Sequence, residues 1–361
     1  MIKKTLLAAA IAAASMGTYA ADVEVSGQVS RVIVSPDDAA GDELQFLDNN
    51  ISGSRFRFKA SQDIGDGMKA GTRLEAQFQS NKSLNNDGGT REATANAIDL
   101  RYQDLYLSGA FGKVSLGKGD GAGNGTTEVD LSGTYIIAAA NATDLYGGFL
   151  LDSTTKVSGV YDIVDAYSRN NRLRYDSNNF NGFSFAVSYG QQEVTELALR
   201  YAGGTDIKYQ VEGFVGSIGE TTEGYDDGNE SAGISGSVLL ANGLNLTVSY
   251  SMSEPDDVSA AALAADGQEQ ERENMWVKLG YKTGKHAFSI DYGETEDTDG
   301  LTTTGAATTD TEAETMGVSY VFSPAKGVEL FAGYREYSSD DVVGTDNTDV
   351  ELVTVGSLVK F

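Results

Sequence analysis

His286 is the only histidine in the chain, and cysteine is absent. A Ser-His-acid relay would have to be assembled around that one residue, which sits beside the turn at Thr283 to Lys285. Without cysteine there is no disulfide framework and no thiolate metal site. The glycine run Gly119-Asp120-Gly121-Ala122-Gly123-Asn124-Gly125 lacks the GxxxxGK[ST] pattern of a phosphate cradle. It also occurs once, whereas calcium-binding glycine repeats come in several copies. Its glycines read instead as hinges that let the chain turn. With 53 acidic residues against 26 basic ones, carboxylate pairs single out no catalytic acid. The expectation is a protein that is not an enzyme and needs no cofactor or metal. Calcium among outer loops would require several converging oxygen ligands, and the pairs Asp226-Asp227 and Asp256-Asp257 are the first places to look.

The charges do form an ordered pattern of another kind. In Arg55-Phe56-Arg57-Phe58-Lys59 the phenylalanines face one way and the cations the other. Arg73 shares one side of its segment with Gly71, Glu75 and Gln77, and Arg172 and Arg174 flank Leu173. If the Phe face meets lipid, these cations face inward, because a cation on the lipid face of a barrel costs about 2–4 kcal/mol at the midplane. Arg55, Arg57, Lys59, Arg73, Arg172 and Arg174 are therefore the expected basic wall of a pore constriction. Arg101 stands on a segment of ambiguous parity and is left out. The opposing side falls to the long aperiodic segment that opens with the glycine run and closes near Arg169. Glu128, Asp130, Asp144 and Asp152 are its best candidates, although spacing does not choose among them. Opposed charged rings set ion selectivity in pores.

Strands must position these residues. Leu244, Leu246, Val248 and Tyr250 alternate with Asn245, Thr247 and Ser249, and Phe183, Phe185, Val187 and Tyr189 with Ser184, Ala186 and Ser188. Met275 to Tyr281 and Met316 to Phe322 repeat the pattern. Period two over such lengths predicts strands with one apolar face. The other face is hydrophilic and poor in bulky side chains, as a wet lumen would be. Short connections alternate with long, acidic, Gly- and Thr-rich ones, the pattern of an outer-membrane barrel. Tyr175, Tyr189, Tyr250, Tyr281, Tyr292 and Tyr334 stand at strand ends, where aromatic girdles meet the membrane interfaces. The count is roughly sixteen strands of about ten residues, the length that crosses a bilayer with tilt. No stretch is apolar enough for a transmembrane helix. A formal charge of −27 excludes the basic footprint of a nucleic-acid-binding protein. Lys3, Lys4, the apolar run Thr5 to Ala14 and small residues ending at Ala20 predict a signal peptide over residues 1–20. Residues 21–361 then form the barrel, with 119–170 as its constriction loop.

The chain ends with Val353, Val355, Val359 and Phe361 on one face. It resembles the general diffusion porins of the Gram-negative outer membrane. The likeness rests on Ser54-Arg55-Phe56-Arg57-Phe58-Lys59-Ala60-Ser61 with the turn Ile64-Gly65-Asp66-Gly67, and on Leu107 to Lys118. Asn171-Arg172-Leu173-Arg174-Tyr175-Asp176-Ser177 and the terminal Phe361 add to it. Lys118 departs from it, standing where this family more often carries arginine, and the third loop is longer than usual. The resemblance implies an all-β, sixteen-stranded transmembrane antiparallel barrel with its third loop folded into the lumen. It implies a homotrimer in outer-membrane lipid and lipopolysaccharide, with Phe361 as assembly signal. The expected function is passive diffusion of ions and small hydrophilic solutes, with weak cation selectivity. A substrate-specific channel and a surface adhesin with acidic loops are the alternatives.

Overall fold

The computed structural model describes residues 21–83, 97–152, 155–219, 229–255, 271–298, 311–339 and 349–361. The expected signal peptide and both aspartate pairs lie outside them. Seventeen strand segments form one antiparallel sheet. The first six are β1 (Asp22–Asp37), β2 (Gln45–Asp48), β3 (Arg55–Gly65), β4 (Met68–Gln79), β5 (Ala97–Gly109) and β6 (Gly112–Asp120). Next come β7 (Arg169–Asp176), β8 (Phe183–Gly190), β9 (Thr195–Gly203), β10 (Lys208–Ile218), β11 (Asn229–Leu239) and β12 (Leu244–Pro255). The last are β13 (Glu271–Thr283), β14 (His286–Thr298), β15 (Thr311–Ala325), β16 (Val328–Ser339) and β17 (Val350–Lys360). β2 and β3 are two pieces of one interrupted strand. β1 pairs with β2 through Arg31 to Val34 and with β3 through Asp22 to Gln28, and a 3-10 turn at Asn50–Ser52 separates the pieces. The wall is thus sixteen-stranded.

It closes where β1 pairs with β17, from Gln28 opposite Lys360 to Asp37 opposite Glu351. Closure leaves no strand edge with unpaired N–H and C=O groups, which lipid would penalise. Phe361 seals the seam: its N–H and C=O exchange 2.9 Å hydrogen bonds with Gly27. Gly27 must lack a side chain, because a Cβ there would fall 2.6 Å from the Phe361 ring.

The alternation predicted from sequence holds across the wall. On β12, Leu244, Leu246, Val248 and Tyr250 are exposed outward, while Asn245, Thr247, Ser249 and Ser251 are buried. Outward apolar side chains on β1, β3 to β5 and β13 to β17 complete a lipid-facing band. The link between β8 and β9, shorter than the alternation of loop lengths predicts, is a 3-10 turn in which Gln192 and Glu193 take φ values of 60° and 55°.

Between β6 and β7 the chain runs from 121 to 168, where the described residues include two short helices, α1 (Thr143–Tyr146) and α2 (Val157–Val160). It packs against the buried face of the wall. Ile136, Ile137, Leu145, Tyr146, Phe149, Leu151, Val157 and Tyr161 form one core with Val32, Val34, Leu47, Val321, Phe331, Tyr337, Val350, Leu352 and Leu358. Smaller clusters join Ala122 to Ala186, Ala198 and Phe214, and Ala140 and Ile163 to Trp276. Trp276, the one inward tryptophan, is therefore covered by this segment.

The serines of the facing strands receive its backbone. Val129 N–H donates to Ser235 Oγ at 3.0 Å, and the same hydroxyl donates to Thr126 C=O at 2.6 Å. Leu131 N–H donates to Ser237 Oγ, Ser249 Oγ to Thr127 C=O and Val164 N–H to Ser251 Oγ. A loop without its own ladder must place its backbone polar groups somewhere, and the small hydroxyl face supplies the partners. That face therefore does more than line a wet lumen.

The glycine run has a physical explanation other than hinge freedom. A Cβ at Gly119 would strike the Arg172 guanidinium, one at Gly121 the Glu196 carboxylate and one at Gly123 the Phe214 ring. Only Gly125 of the four needs a positive φ, at 79°. The absent side chains let the segment lie flat against the wall as it leaves β6.

Candidate pore constriction

Glu75 on β4 is fully buried and gathers four arginines. Arg57 Nε reaches its Oε2 at 2.5 Å, Arg73 Nη2 the same oxygen at 2.9 Å and Arg101 Nε its Oε1 at 2.9 Å. Arg55 Nη1 stands 3.5 Å from Oε1. These positions follow from strand parity, since Arg55 and Arg57 on β3 lie opposite Gln77 and Glu75 on β4. Arg101 follows from a β-bulge. Glu75 faces Tyr102 and Ala76 faces Leu100, leaving Arg101 as the extra residue on β5. A bulge turns two successive side chains toward one face, so Arg101 and Tyr102 both point inward, and period-two reasoning could not place Arg101. Tyr102 supports the group from below, with the Arg73 guanidinium 3.2 Å from its ring centroid and its hydroxyl donating to Asp120. Arg169, at the start of β7, pairs with Asp120 at 2.9 Å.

Across from this wall lies a cavity of about 470 Å³. Arg55, Arg101 and Arg169 line one side, and Glu128, Asp144, Asp162 and Asp165 line the other. Each acid is held by its own segment. Tyr135 OH donates to Glu128 at 2.7 Å, Asn141 Nδ2 to Asp144 at 3.2 Å and Thr143 Oγ1 to Asp162 at 2.7 Å. Asp165 accepts from Gly125 N–H at 2.8 Å and Thr127 Oγ1 at 3.1 Å. Among the described residues none of the four forms an ion pair with an arginine, so the two charge sets stand apart across open space.

Burial raises the affinity of these carboxyls for protons. Glu128 is pushed up to about 7 by desolvation, with the Asp144 and Asp120 charges adding and Tyr135 and Arg169 opposing. Asp144 rises to about 6 through burial and the neighbouring Asp162, against Arg169 and Arg101. Burial likewise raises Asp162 and, together with Glu128, lifts Asp165 well above its usual range.

The structure brings together part of the set expected from sequence. Arg55, Arg57 and Arg73 meet at Glu75, and Glu128 and Asp144 face them across the cavity. Lys59 instead pairs with Glu24 at 3.4 Å. Arg172 is buried, donating to Asp104 and to the carbonyls of Gly117 and Asp120, where it ties β6 to β7. Arg174 pairs with Asp176 and donates to Gly121 C=O. Asp130 forms a buried pair with Lys278 on β13, and Asp152 accepts from Thr155 N–H at 2.7 Å. These last five therefore do not line the cavity. Arg101, Arg169, Asp162 and Asp165 do, and Glu196 on β9, overlooked from sequence, clamps both ends of the loop by accepting from Gly123 and Tyr167 N–H.

A closed antiparallel wall with an apolar exterior and a charge-lined gap inside defines the class of outer-membrane channels. The chain belongs to the Gram-negative porin family, whose profile matches residues 6–342. Outer membrane protein U of Vibrio parahaemolyticus is 25% identical over 93% of this chain and 89% of its own length. In fold, the chain is similar to an anion-selective porin from Comamonas acidovorans, with a TM-score of 0.64 and 16% identity over 95% of this chain and 100% of that one. It is similar as well to OmpT of Vibrio cholerae, solved in trimer form, with a TM-score of 0.61, 16% identity and the same coverage. The protein resides in the outer membrane.

Proposed function

We propose that the protein is a water-filled channel for passive diffusion of ions and small hydrophilic solutes, weakly cation-selective, working as a homotrimer in outer-membrane lipid and lipopolysaccharide. The observation that carries this reading is the unpaired opposition of Arg55, Arg101 and Arg169 to Glu128, Asp144, Asp162 and Asp165 across one cavity. Four guanidiniums share the single Glu75 carboxylate, leaving a surplus of three positive charges against four loop carboxyls that burial inclines toward protonation. The near-balance accounts for a weak preference. The chain's overall charge of −27 tips it toward cations, more so at low salt, where the Debye length grows beyond about 8 Å. The trimeric assembly is supported by the trimer form of the Vibrio cholerae OmpT structure. The Comamonas porin of similar fold is anion-selective, so the fold by itself does not imply a cation preference, and in this reading the charges at the gap set the sign.

Reversal potentials in a KCl gradient at pH 8 test the proposal. A cation preference is expected, and replacing Arg55, Arg57 and Arg73 by neutral residues should strengthen it by leaving the acids less opposed. Anion preference in the unaltered protein overturns the selectivity, and absence of conductance overturns the channel itself.

A further inference from the structure

The outward face of β13 to β16 carries opposite charges at its two ends. At the loop end, Glu273, Glu294, Glu296, Glu312, Glu314 and Glu336 share the parity of the outward apolar residues on the same strands. Three like-charge pairs stand directly opposite across the sheet: Glu273 with Glu296, Glu294 with Glu314 and Glu296 with Glu312. At the turn end, residues 283–287 and 323–327 carry Lys285, His286 and Lys326 and no acid. Glu329, the next acid along the chain, has the inward parity of Phe331 and pairs with Lys360 at 3.8 Å. The two basic turns touch. Lys285 Nζ donates to Pro324 C=O at 2.6 Å, and Ser323 N–H donates to Lys285 C=O at 2.8 Å. Short turns lie on the periplasmic rim and longer loops outside, so this sector is basic at the inner leaflet and acidic at the outer one. An anionic headgroup is attracted at one end of the sector and repelled at the other.

Between these ends lies an apolar groove of about 660 Å³ on the lipid-facing surface. A small residue makes its floor. Ala332 stands between Tyr320 and Val355 in the register of three adjacent strands, and Tyr281, Phe288 and Ile290 line the groove beside it. Toward the turn end Tyr320 is continued by an aromatic shelf. His286 stacks on Phe322 with ring centroids 5.0 Å apart, and its Nδ1 meets Tyr320 OH at 2.8 Å. His286 Nε2 and the Lys326 ammonium have no partner among the described residues. Aromatic rings with a polar edge sit at headgroup level, which sets the lysines beside the phosphates and the groove among the acyl chains. Basic clusters at this level hold anionic headgroups. We propose that this sector is a docking site for an anionic phospholipid of the inner leaflet, with its phosphate at Lys285, His286 and Lys326 and an acyl chain along Ala332. The site needs no conduction through the lumen and rests on the orientation of the barrel in the membrane.

Photoactivatable phosphatidylglycerol and phosphatidylcholine carrying the same diazirine acyl chain isolate the headgroup. The full-length protein in phosphatidylcholine liposomes doped with one or the other is irradiated, digested and mapped by mass spectrometry. Phosphatidylglycerol should label the stretches 286–290, 316–322 and 328–334 more heavily than phosphatidylcholine does, and unlabelled phosphatidylglycerol should compete the label away. One lysine beside an anionic headgroup changes local lipid preference by roughly fivefold, so Lys285→Gln and Lys326→Gln should each lower the labelling ratio by about that factor. Ala332→Phe should fill the groove and remove the label from β16 while KCl conductance persists. Lys326 is an exposed turn residue with no ion pair among the described residues, so its variant tests the headgroup contact should another fail to insert. Lys69→Gln, at the exposed turn end of β4, should leave the ratio unchanged. Equal labelling by the two lipids overturns the anionic site. A ratio undiminished in the Lys285→Gln/Lys326→Gln variant overturns the assignment of the lysines. Phosphatidylglycerol label gathered at the glutamate end overturns the placement in the inner leaflet. A groove that neither lipid labels, with cross-links there joining two copies of the chain, makes a neighbouring subunit its occupant and overturns the lipid.

Discussion

The two sides of this lumen use inward-facing residues to opposite ends. On β3 to β5 the inward residues include long cations that share too few acceptors, with four guanidiniums meeting one Glu75 carboxylate. They remain unsatisfied as a group and face the gap. On β11 to β17 and β1 the inward residues are small hydroxyls, buried apolar side chains and charges that have partners, such as Lys278 with Asp130 and Arg335 with Asp291, and the loop packs over much of this face. Parity tells which way a side chain points. It does not tell whether water or another stretch of the same chain lies in front of it.

The comparison predicts that changes on the docking side act on stability, and changes on the arginine side on selectivity. The largest effect belongs to Lys278→Met. Lys278 is fully buried and its ammonium contacts Asp130, Thr134 and Ala138. Removing one partner of a buried ion pair strands the other charge and costs about 3–5 kcal/mol. The loop should come away from β13, seen as a lower urea midpoint in detergent, new protease cleavage between 130 and 140, and a larger single-channel conductance. An unchanged midpoint and conductance would mean that the pair is incidental. Next is Ile137→Ala, which empties a site in the main loop core. Such truncations cost about 2–5 kcal/mol depending on how far the site collapses, and the same urea titration reads it.

Smaller still is Ser235→Ala, which deprives Val129 N–H and Thr126 C=O of their shared hydroxyl. Leaving buried backbone groups unpaired costs about 1–3 kcal/mol, reduced where water follows the opened loop. Ser184→Ala provides the contrast, since that β8 serine is only half-buried. The distinction between docking hydroxyls and ordinary lumen hydroxyls fails if the two substitutions lower the midpoint equally.

Much of the wall was legible because lipid imposes one rule on every strand. Apolar residues at period two, tight turns alternating with long links, and a terminal aromatic mark strands, rims and seam, and none depends on long-range contacts. The cluster at Glu75 was half legible for the same reason: Arg55, Arg57, Arg73 and Glu75 follow from parity on two adjacent strands. Arg101 was not, because a bulge shifts the register by one residue and nothing local in Leu100-Arg101-Tyr102 announces it. The loop acids were legible as a group and not individually. An aperiodic segment has no period that places Asp165 at the gap, where Gly125 and Thr127 hold it, or Asp130 on Lys278, a partner more than a hundred residues away. The glycine run misled for a related reason: glycine serves conformational freedom and close approach equally well, and the surfaces approached, Glu196 and Phe214, lie far along the chain.

The smallest predicted effect concerns pH, and it separates the two walls most directly. Guanidiniums stay charged across the accessible range, so titration alters only the acidic side. Glu128, facing Tyr135, Asp144, Asp120 and Arg169, titrates near 7, and Asp144, beside Asp162 and Arg169, near 6. Both values are raised above the ordinary 4.5 and 3.8, so these carboxylates are charged at pH 8 and become neutral on the way to pH 5. Cation preference should fall through that window, and the arginines should carry the balance toward anions. One unit charge felt across about 8 Å of water is worth about 0.5 kcal/mol to a cation and the opposite to an anion, so each protonation should change the cation-to-anion permeability ratio by roughly fivefold. Stability moves with its own sign. A carboxyl whose folded pKa is raised binds more protons folded than unfolded, so the docked loop gains stability as pH falls from about 7 toward 4.5 and loses it as pH rises. Acid should therefore weaken cation preference while tightening the loop. Glu128→Gln should remove the upper part of the selectivity change and Asp144→Asn the lower part, read as reversal potentials at half-unit pH steps. A wild-type curve that is flat from pH 8 to 5, or one that both variants leave untouched, would place the selectivity-determining acids outside this gap.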